Sequence, residues 1–125
     1  MRSARSLLPM LLVPLLLAAC ATTNRMPVTD VPTGNYVLVE PEQDTYMAVS
    51  IGEWAHSIRA GDDTWTGQHW LDAEGRLHTV DDIGECAGME AVWTYQYSGN
   101  RLTMDLVSDD CPTREIPERL VYERR

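Results

Sequence analysis

The amino-acid sequence predicts an all-β domain: a small antiparallel up-and-down barrel of about seven or eight strands. Runs of β-favouring residues recur about every ten residues and are separated by tight-turn residues, which is typical of β-sandwiches and barrels. No segment keeps a helical hydrophobic period over about eleven residues. The chain of 125 residues is 44% hydrophobic and contains four Trp and five Tyr, which suits one domain with a core and argues against disorder.

The first residues have the pattern of an export signal. Arg2 and Arg5 precede an apolar stretch at residues 7–19. This stretch is shorter than the roughly 20 residues of a membrane-spanning helix, and it fits a signal peptide over residues 1–19. Leu17-Ala18-Ala19-Cys20 then resembles the lipobox of bacterial lipoproteins. The resemblance implies cleavage before Cys20 and acylation of that cysteine, palmitate included.

Acylation of Cys20 by two or more chains would anchor the protein stably to a membrane. The residue that follows is Ala21 and not Asp, which resembles the sorting pattern of outer-membrane lipoproteins. The expected location is therefore the bacterial cell envelope, on an outer membrane and facing the periplasm. Residues 20–33 are rich in Thr and Pro and are expected to be the lipidated cysteine and a flexible tether. The barrel domain is expected at residues 34–125.

The charge of the chain limits its partners. The chain carries 19 acidic and 10 basic residues, for a formal net charge of −9, and every basic residue is arginine. This balance argues against a nucleic-acid partner, because phosphate binding needs clustered positive charge. It also argues against anchoring by the protein surface, since anionic lipid would repel it. The lipid on Cys20 would have to hold the protein at the membrane.

Strand positions follow from β-favouring runs and the turns between them. Strands are expected at residues 36–39, 45–51, 65–71, 76–80, 91–97, 102–107 and 120–122, with residues 53–59 ambiguous. Asp72-Ala73-Glu74-Gly75 suits a type I turn with Gly75 in a left-handed conformation. That turn would pair Leu71 with Leu77 and Trp70 with His78.

The hairpin around residues 91–107 defines the face that we expect to bind a ligand. Its loop is either Ser98-Gly99 or Gly99-Asn100, and both registers give the same two faces. The core face then collects Ala91, Trp93, Tyr95, Tyr97, Leu102, Met104 and Leu106. We expect Trp93, Tyr95, Tyr97 and Met104 to line the ligand site, with Trp93 as its floor. Tyr95 and Tyr97, nearer the loop, would line its mouth, where their hydroxyls could find polar partners.

Two cysteines remain once Cys20 is assigned to lipid. Cys86 and Cys111 form an even pair in an oxidising compartment, and the hairpin register places them roughly opposite each other. We therefore expect a disulfide with Cα atoms about 4.4–6.8 Å apart. Closing a loop of about 25 residues would stabilise the fold by roughly 3 kcal/mol.

Several short motifs resemble those of small bacterial lipocalin-like proteins of the calycin type. They are Gly34-Asn35-Tyr36 at the start of the barrel, Cys86 before an aromatic strand, the Ser98-Gly99-Asn100 turn, and Asp110-Cys111-Pro112-Thr113-Arg114. The resemblance implies a barrel that Tyr36 helps to close at its start. Arg114 is expected to close a barrel end by packing on an aromatic ring or by pairing with Asp110.

No motif in the sequence predicts catalysis. Neither Ser50 nor Ser98 lies in a G-x-S-x-G setting, and the acidic pairs lack the spacing of a calcium loop. The three histidines lack further ligands for zinc, so we expect no metal, no cofactor and no enzyme activity. The leading interpretation is a barrel that binds a small apolar or amphipathic ligand. The alternatives are an interaction or inhibitor protein that docks its acidic surface on a basic envelope protein, and a purely structural barrel with a filled interior.

Overall fold

The computed structural model of the chain describes residues 24–42 and 47–125, which form a closed antiparallel barrel. Each strand pairs with its neighbours in sequence, and the last strand pairs with the first. The strands are β1 (Gly34–Glu40), β2 (Met47–Ile51), β3 (Ala55–Ala60), β4 (Asp63–Leu71), β5 (Leu77–Asp81), β6 (Glu90–Ser98), β7 (Arg101–Asp109) and β8 (Arg119–Arg124). The predicted all-β up-and-down barrel is confirmed. The ambiguous segment at residues 53–59 contributes β3.

The expected signal peptide at residues 1–19 and Cys20 lie outside the described residues. Within residues 24–42 and 47–125 there is no helix of the length and apolarity needed to cross a bilayer.

The turns divide the barrel into two distinct ends. One end carries the turns at residues 52–54, 72–76 and 99–100, and we call it the plugged end. The opposite end carries the connections at residues 61–62, 82–89 and 110–118, and we call it the loop end. Because strands alternate their side chains, every second residue points into the barrel. The buried core contains Val28, Val31, Tyr36, Val49, Leu77, Ala91, Trp93, Leu102, Met104 and Tyr122.

The N-terminal segment at residues 24–33 packs against the plugged end and is not the expected tether. Met26 and Leu71 exchange backbone hydrogen bonds of 2.9 and 2.8 Å, and the Val28 N–H donates to the carbonyl oxygen of Glu53. Val28 and Val31 are each only 4% exposed and belong to the core. The segment packs here because the barrel end would otherwise expose apolar side chains to water, and these two valines cover them.

The predicted turns and registers agree with the structure. Gly99 and Asn100 form the loop of the β6–β7 hairpin, which pairs Tyr97 with Leu102. The Gly75 N–H donates to the carbonyl oxygen of Asp72, and Gly75 has a φ of 79°. As predicted, Leu71 pairs with Leu77 and Trp70 with His78.

The predicted disulfide between Cys86 and Cys111 is also confirmed, with Cα atoms 5.6 Å apart. It joins the β5–β6 connection to the β7–β8 connection at the loop end, where the chain has no regular secondary structure. The bond therefore ties together the two longest described loops.

A stacked cluster covers the outside of β4 and β5. The Trp70 and His78 rings stack 5.5 Å apart, and the Arg25 guanidinium lies 3.9 Å above Trp70. His78 Nε2 lies 2.7 Å from Asp72 Oδ2, and His78 Nδ1 contacts Glu90 Oε1. Burial alone would lower the pKa of His78, but hydrogen bonds and negative charge from Asp72 and Glu90 raise it above the ordinary histidine value.

The packing of the N-terminal segment predicts a stability cost for Val31→Ala. Removing two buried methyl groups should lower the free energy of unfolding by about 1–3 kcal/mol. Val107→Ala is the matched control, since Val107 is 49% exposed on the outer face and should change stability by less than about 0.5 kcal/mol. Urea denaturation measures both. Equal, small effects would contradict the packed segment, because a valine in a free tether contributes nothing.

The His78 contacts predict a pH-dependent contribution to stability. A folded-state pKa above the unfolded value means that this contribution is full below the unfolded pKa and is lost as the pH rises through the folded pKa. The stability advantage of the wild type over His78→Gln should therefore be larger at about pH 5.5 than at about pH 9. Denaturation curves at the two values test this, and the comparison between the two pH values cancels the part of the lost Trp70 packing that does not depend on protonation. An advantage that grows as the pH rises would contradict it.

Candidate functional site

The barrel interior is not completely filled by side chains. A cavity of about 300 Å³ lies along its axis, bounded by all eight strands, the N-terminal segment and the β7–β8 connection. Most of its wall is aliphatic or aromatic, and the apolar lining residues on the strands are Leu38, Met47, Val49, Ile51, Ile58, Trp65, Leu77, Trp93, Leu102, Met104 and Leu120. The polar part of the wall comes from a few side chains on β3, β4 and β5 and from the β7–β8 connection.

The cavity has a floor at the plugged end and reaches solvent at the loop end. Val28 and Val31, both buried, form the floor. Glu115 and Pro117 line the cavity at the loop end and are exposed. The expected position of the mouth, beside the Ser98-Gly99-Asn100 turn, is therefore wrong. The N-terminal segment occupies that end.

The predicted aromatic residues fall into two groups. Trp93, Tyr95 and Met104 line the cavity as expected, and the Trp93 Nε1–H donates to Thr79 Oγ1 over 3.0 Å. Tyr97 is not among the lining residues, and its ring packs edge-on against Tyr36 with centroids 6.4 Å apart. The sequence predicted the correct face for Tyr97 but not its packing against Tyr36.

The hydroxyls of the interior tyrosines are hydrogen-bonded or have a raised pKa that keeps them protonated. The Tyr95 hydroxyl lies 2.7 and 2.9 Å from the two carboxylate oxygens of Asp30 and donates its one hydrogen to this carboxylate. Burial, with Asp30 as a second cause, raises the pKa of Tyr95, and burial raises the pKa of Tyr122 to about 12. Tyr36 is fully buried and donates its hydroxyl to the carbonyl oxygen of Pro32 over 2.5 Å. Asp30 and Pro32 both belong to the N-terminal segment, so these hydroxyls help to hold it.

A chain of polar side chains runs along one wall of the cavity. At its inner end, His69 Nε2 lies 2.7 Å from the carbonyl oxygen of Gly52, and His69 Nδ1 lies 2.9 Å from His56 Nδ1. His56 Nε2 then faces Asp81 Oδ1 at 4.0 Å, and Asp81 Oδ2 accepts from Arg114 over 3.1 Å. Burial lowers the pKa of His69, which is 4% exposed, so its ring is neutral at neutral pH.

Gly67 makes room for His56. The two residues are directly paired across β3 and β4 and both face the interior. A Cβ atom at residue 67 would lie 2.6 Å from the Val80 carbonyl oxygen and would also overlap the His56 ring. The glycine in the middle of a strand therefore lets the imidazole of His56 lie across the strand. This places His56 Nε2 beside Asp81.

The partners of Arg114 in the structure differ from the predicted ones. Its guanidinium makes two hydrogen bonds to Asp109, at 3.0 and 3.1 Å, and one to Asp81, and it does not pair with Asp110 or stack on a ring. Asp110 is exposed, and its backbone N–H donates to Glu90. A bulge at Val107 of β7, opposite Val92 and Trp93, shifts the register by one residue, which brings the side chain of Asp109 onto the inner face. Arg114 thus bridges two carboxylates at the loop end.

Sequence reasoning did not identify His56, His69, Thr79 and Asp81 as site residues. A signal for three of them was present. Leu71 pairs with Leu77 on the core face, so His69 and Thr79, two residues further along each strand, share that face. Asp81 follows at the next inward position. Within residues 24–42 and 47–125, no three His, Cys, Asp or Glu side chains converge to hold a metal ion.

Comparisons with known proteins add no assignment. No protein-family model matches the chain, and neither the curated proteins nor the solved structures that were searched contain a match.

Proposed function

We propose that this protein is a non-enzymatic lipoprotein of the bacterial envelope that binds a small apolar or amphipathic molecule inside its barrel. The observation that carries the proposal is the cavity of about 300 Å³ with an apolar wall and a few convergent polar groups. This composition is typical of small-molecule sites, and the volume is near their lower limit of about 300 Å³. The ligand is therefore small.

The cavity favours binding over a purely structural barrel. An eight-stranded barrel is just wide enough for side chains to fill. Here the side chains leave a cavity of about 300 Å³ unfilled, and part of its wall is formed by the polar residues His56, Thr79 and Asp81. Binding of an apolar ligand in such a space is favourable in free energy, because it removes apolar surface from water.

The packed N-terminal segment supports an orientation at the membrane. If Cys20 carries lipid, only residues 21–23 separate it from Asn24, the first described residue. Four residue steps span at most about 14 Å. The plugged end would then lie next to the bilayer, and the cavity would open on the opposite side.

The distribution of charge agrees with that orientation. The plugged end carries five arginines and five carboxylates: Arg25, Arg76, Arg101, Arg124, Arg125, Asp30, Glu53, Asp72, Glu74 and Glu123. The loop end carries three arginines, Arg59, Arg114 and Arg119, with twelve carboxylates: Glu40, Glu42, Asp62, Asp63, Asp81, Asp82, Glu85, Glu90, Asp109, Asp110, Glu115 and Glu118. Anionic lipid would repel the loop end far more than the plugged end.

The acidic loop end also supports the alternative function, docking on a basic envelope protein. The two functions differ in their response to salt. Docking through exposed carboxylates should weaken steeply as ionic strength rises, whereas burial of an apolar ligand should change little. Binding measured at low and high salt therefore separates them.

Lipid anchoring predicts the fate of Cys20. Mature protein from bacterial membranes should begin at Cys20 and carry the added mass of acyl chains, as intact mass spectrometry would show. The Cys20→Ala variant should lose this mass and no longer be processed before residue 20. An unmodified Cys20 in the mature wild type, or a mature chain that starts elsewhere, would overturn the lipoprotein assignment.

Ligand binding predicts that filling the cavity abolishes it. Val49 faces the interior and lines the cavity, so Val49→Phe should weaken binding of 1-octanol by roughly tenfold or more in isothermal titration calorimetry. Val107→Phe is the matched control, because it adds the same volume on the outer face. A folded wild-type protein that binds no octanol, or binding that Val49→Phe leaves unchanged, would contradict the proposed site.

A further inference from the structure

We propose that the cavity selects amphiphiles whose head group is a positively charged hydrogen-bond donor, such as a primary ammonium, over neutral and carboxylate-headed ones. The inference rests on the proposed function and adds the chemical class of the ligand. It starts from the gap between His56 Nε2 and Asp81 Oδ1, which both face the cavity.

The two atoms across the gap have acceptor capacity that the protein leaves unused. They lie 4.0 Å apart, which is too far for a direct hydrogen bond. Arg114 donates to the other oxygen of Asp81, Oδ2. No donor from residues 24–42 or 47–125 makes a hydrogen bond to Asp81 Oδ1 or to His56 Nε2. Neither is a buried unsatisfied atom in that part of the chain, so both keep accessible surface, and both residues line the cavity.

The hydrogen bonds of the two histidines make His56 Nε2 an acceptor. The carbonyl oxygen of Gly52 can only accept, so His69 Nε2 carries the hydrogen. The neutral ring of His69 therefore accepts at Nδ1, and His56 must donate from its own Nδ1. In its neutral form, His56 then presents Nε2 to the cavity as an acceptor beside the carboxylate of Asp81.

A primary ammonium is suited to this pair of acceptors. It has three N–H donors, so one can reach Asp81 Oδ1 while a second reaches His56 Nε2. A hydroxyl has a single donor and can satisfy only one of them. A carboxylate has no donor and would bring further acceptors toward the same place.

The charges around the gap also favour a ligand with a positively charged head group. Asp81 and Glu115 line the cavity, and Asp109 lies behind Arg114. Arg114 is the cation that faces Asp81 within the described part of the chain, and it is shared with Asp109. Three carboxylates against one guanidinium leave an excess of negative charge at the mouth, which attracts a cation and repels an anion.

The rest of the ligand would lie against the apolar wall. His56 and Asp81 occupy one side of the barrel, on β3 and β5, whereas Trp93, Met104 and Leu102 line β6 and β7. A short alkyl chain attached to the ammonium can extend from the gap along these residues. The cavity of about 300 Å³ limits that chain to a small number of carbons.

The test uses three probes with the same alkyl chain: octylammonium, 1-octanol and octanoate. Each is titrated by calorimetry into the folded protein near neutral pH, below the concentration at which it forms micelles. Octylammonium should bind roughly tenfold or more tightly than octanol, as expected for a hydrogen-bonded charge, and octanoate should bind most weakly. Equal affinities, or tighter binding of octanoate, would overturn the inference.

Two variants assign the preference to Asp81. Asp81→Asn keeps the size of the side chain, leaves Arg114 its two bonds to Asp109, and should remove the preference for octylammonium over octanol. Asp82→Asn is the matched control, because it changes the same charge on the outer face, where Asp82 accepts from Thr66. Retention of the preference in Asp81→Asn would show that the gap is not the site. If Asp81→Asn does not fold, the three wild-type affinities still decide the charge preference.

The outcomes separate the two proposals. If none of the three probes binds, the proposed function fails, and this inference fails with it. If all three bind and Val49→Phe removes their binding, the cavity is the ligand site. The order of affinities then decides the head group alone.

Discussion

Closure of the barrel is the constraint on which the other features depend. When β8 pairs with β1, every strand has a neighbour on both sides, and alternate residues of eight strands are fixed toward one enclosed space. That space must be filled, sealed or occupied. Large side chains such as Trp93 and Tyr36 fill much of it, and the N-terminal segment seals one end with Val28 and Val31. The remainder is the cavity of about 300 Å³.

Polar groups inside such a space need partners, because an unpaired buried polar group is costly. His69 is almost fully buried, and its two ring nitrogens contact Gly52 and His56. Asp81 is tolerated because Arg114 neutralises it, and Arg114 is held in turn by Asp109. Asp109 also accepts from the backbone N–H of Cys111 over 3.1 Å. The disulfide at the loop end thereby helps to hold Asp109, and through Arg114 also Asp81, in place.

The turns and hairpin registers could be predicted from the sequence, because they depend on a few neighbouring residues. Gly75 and the Gly99-Asn100 loop set two hairpin registers, and the second of these brings Cys86 and Cys111 to the same end of the barrel, where they pair. The packing of residues 24–33 was not predictable in this way. Their Pro and Thr content is typical of a tether, whereas the contacts that order them join Met26 to Leu71, 45 residues away. The partners of Arg114 were missed because the bulge opposite Val92 and Trp93 shifts the register and turns Asp109, rather than Asp110, toward the interior.

The position of the N-terminal segment also determines the route by which a ligand reaches the cavity. A free tether would leave either end of the barrel able to face the membrane. Because Val28 and Val31 close the plugged end, the described residues leave the cavity its approach at the loop end, past Glu115 and Pro117. On the proposed anchoring at Cys20, that approach faces away from the bilayer. The ligand would then arrive through water, which suits a small charged amphiphile better than a long-chain lipid, and it would cross the acidic loop end, where a cation is attracted.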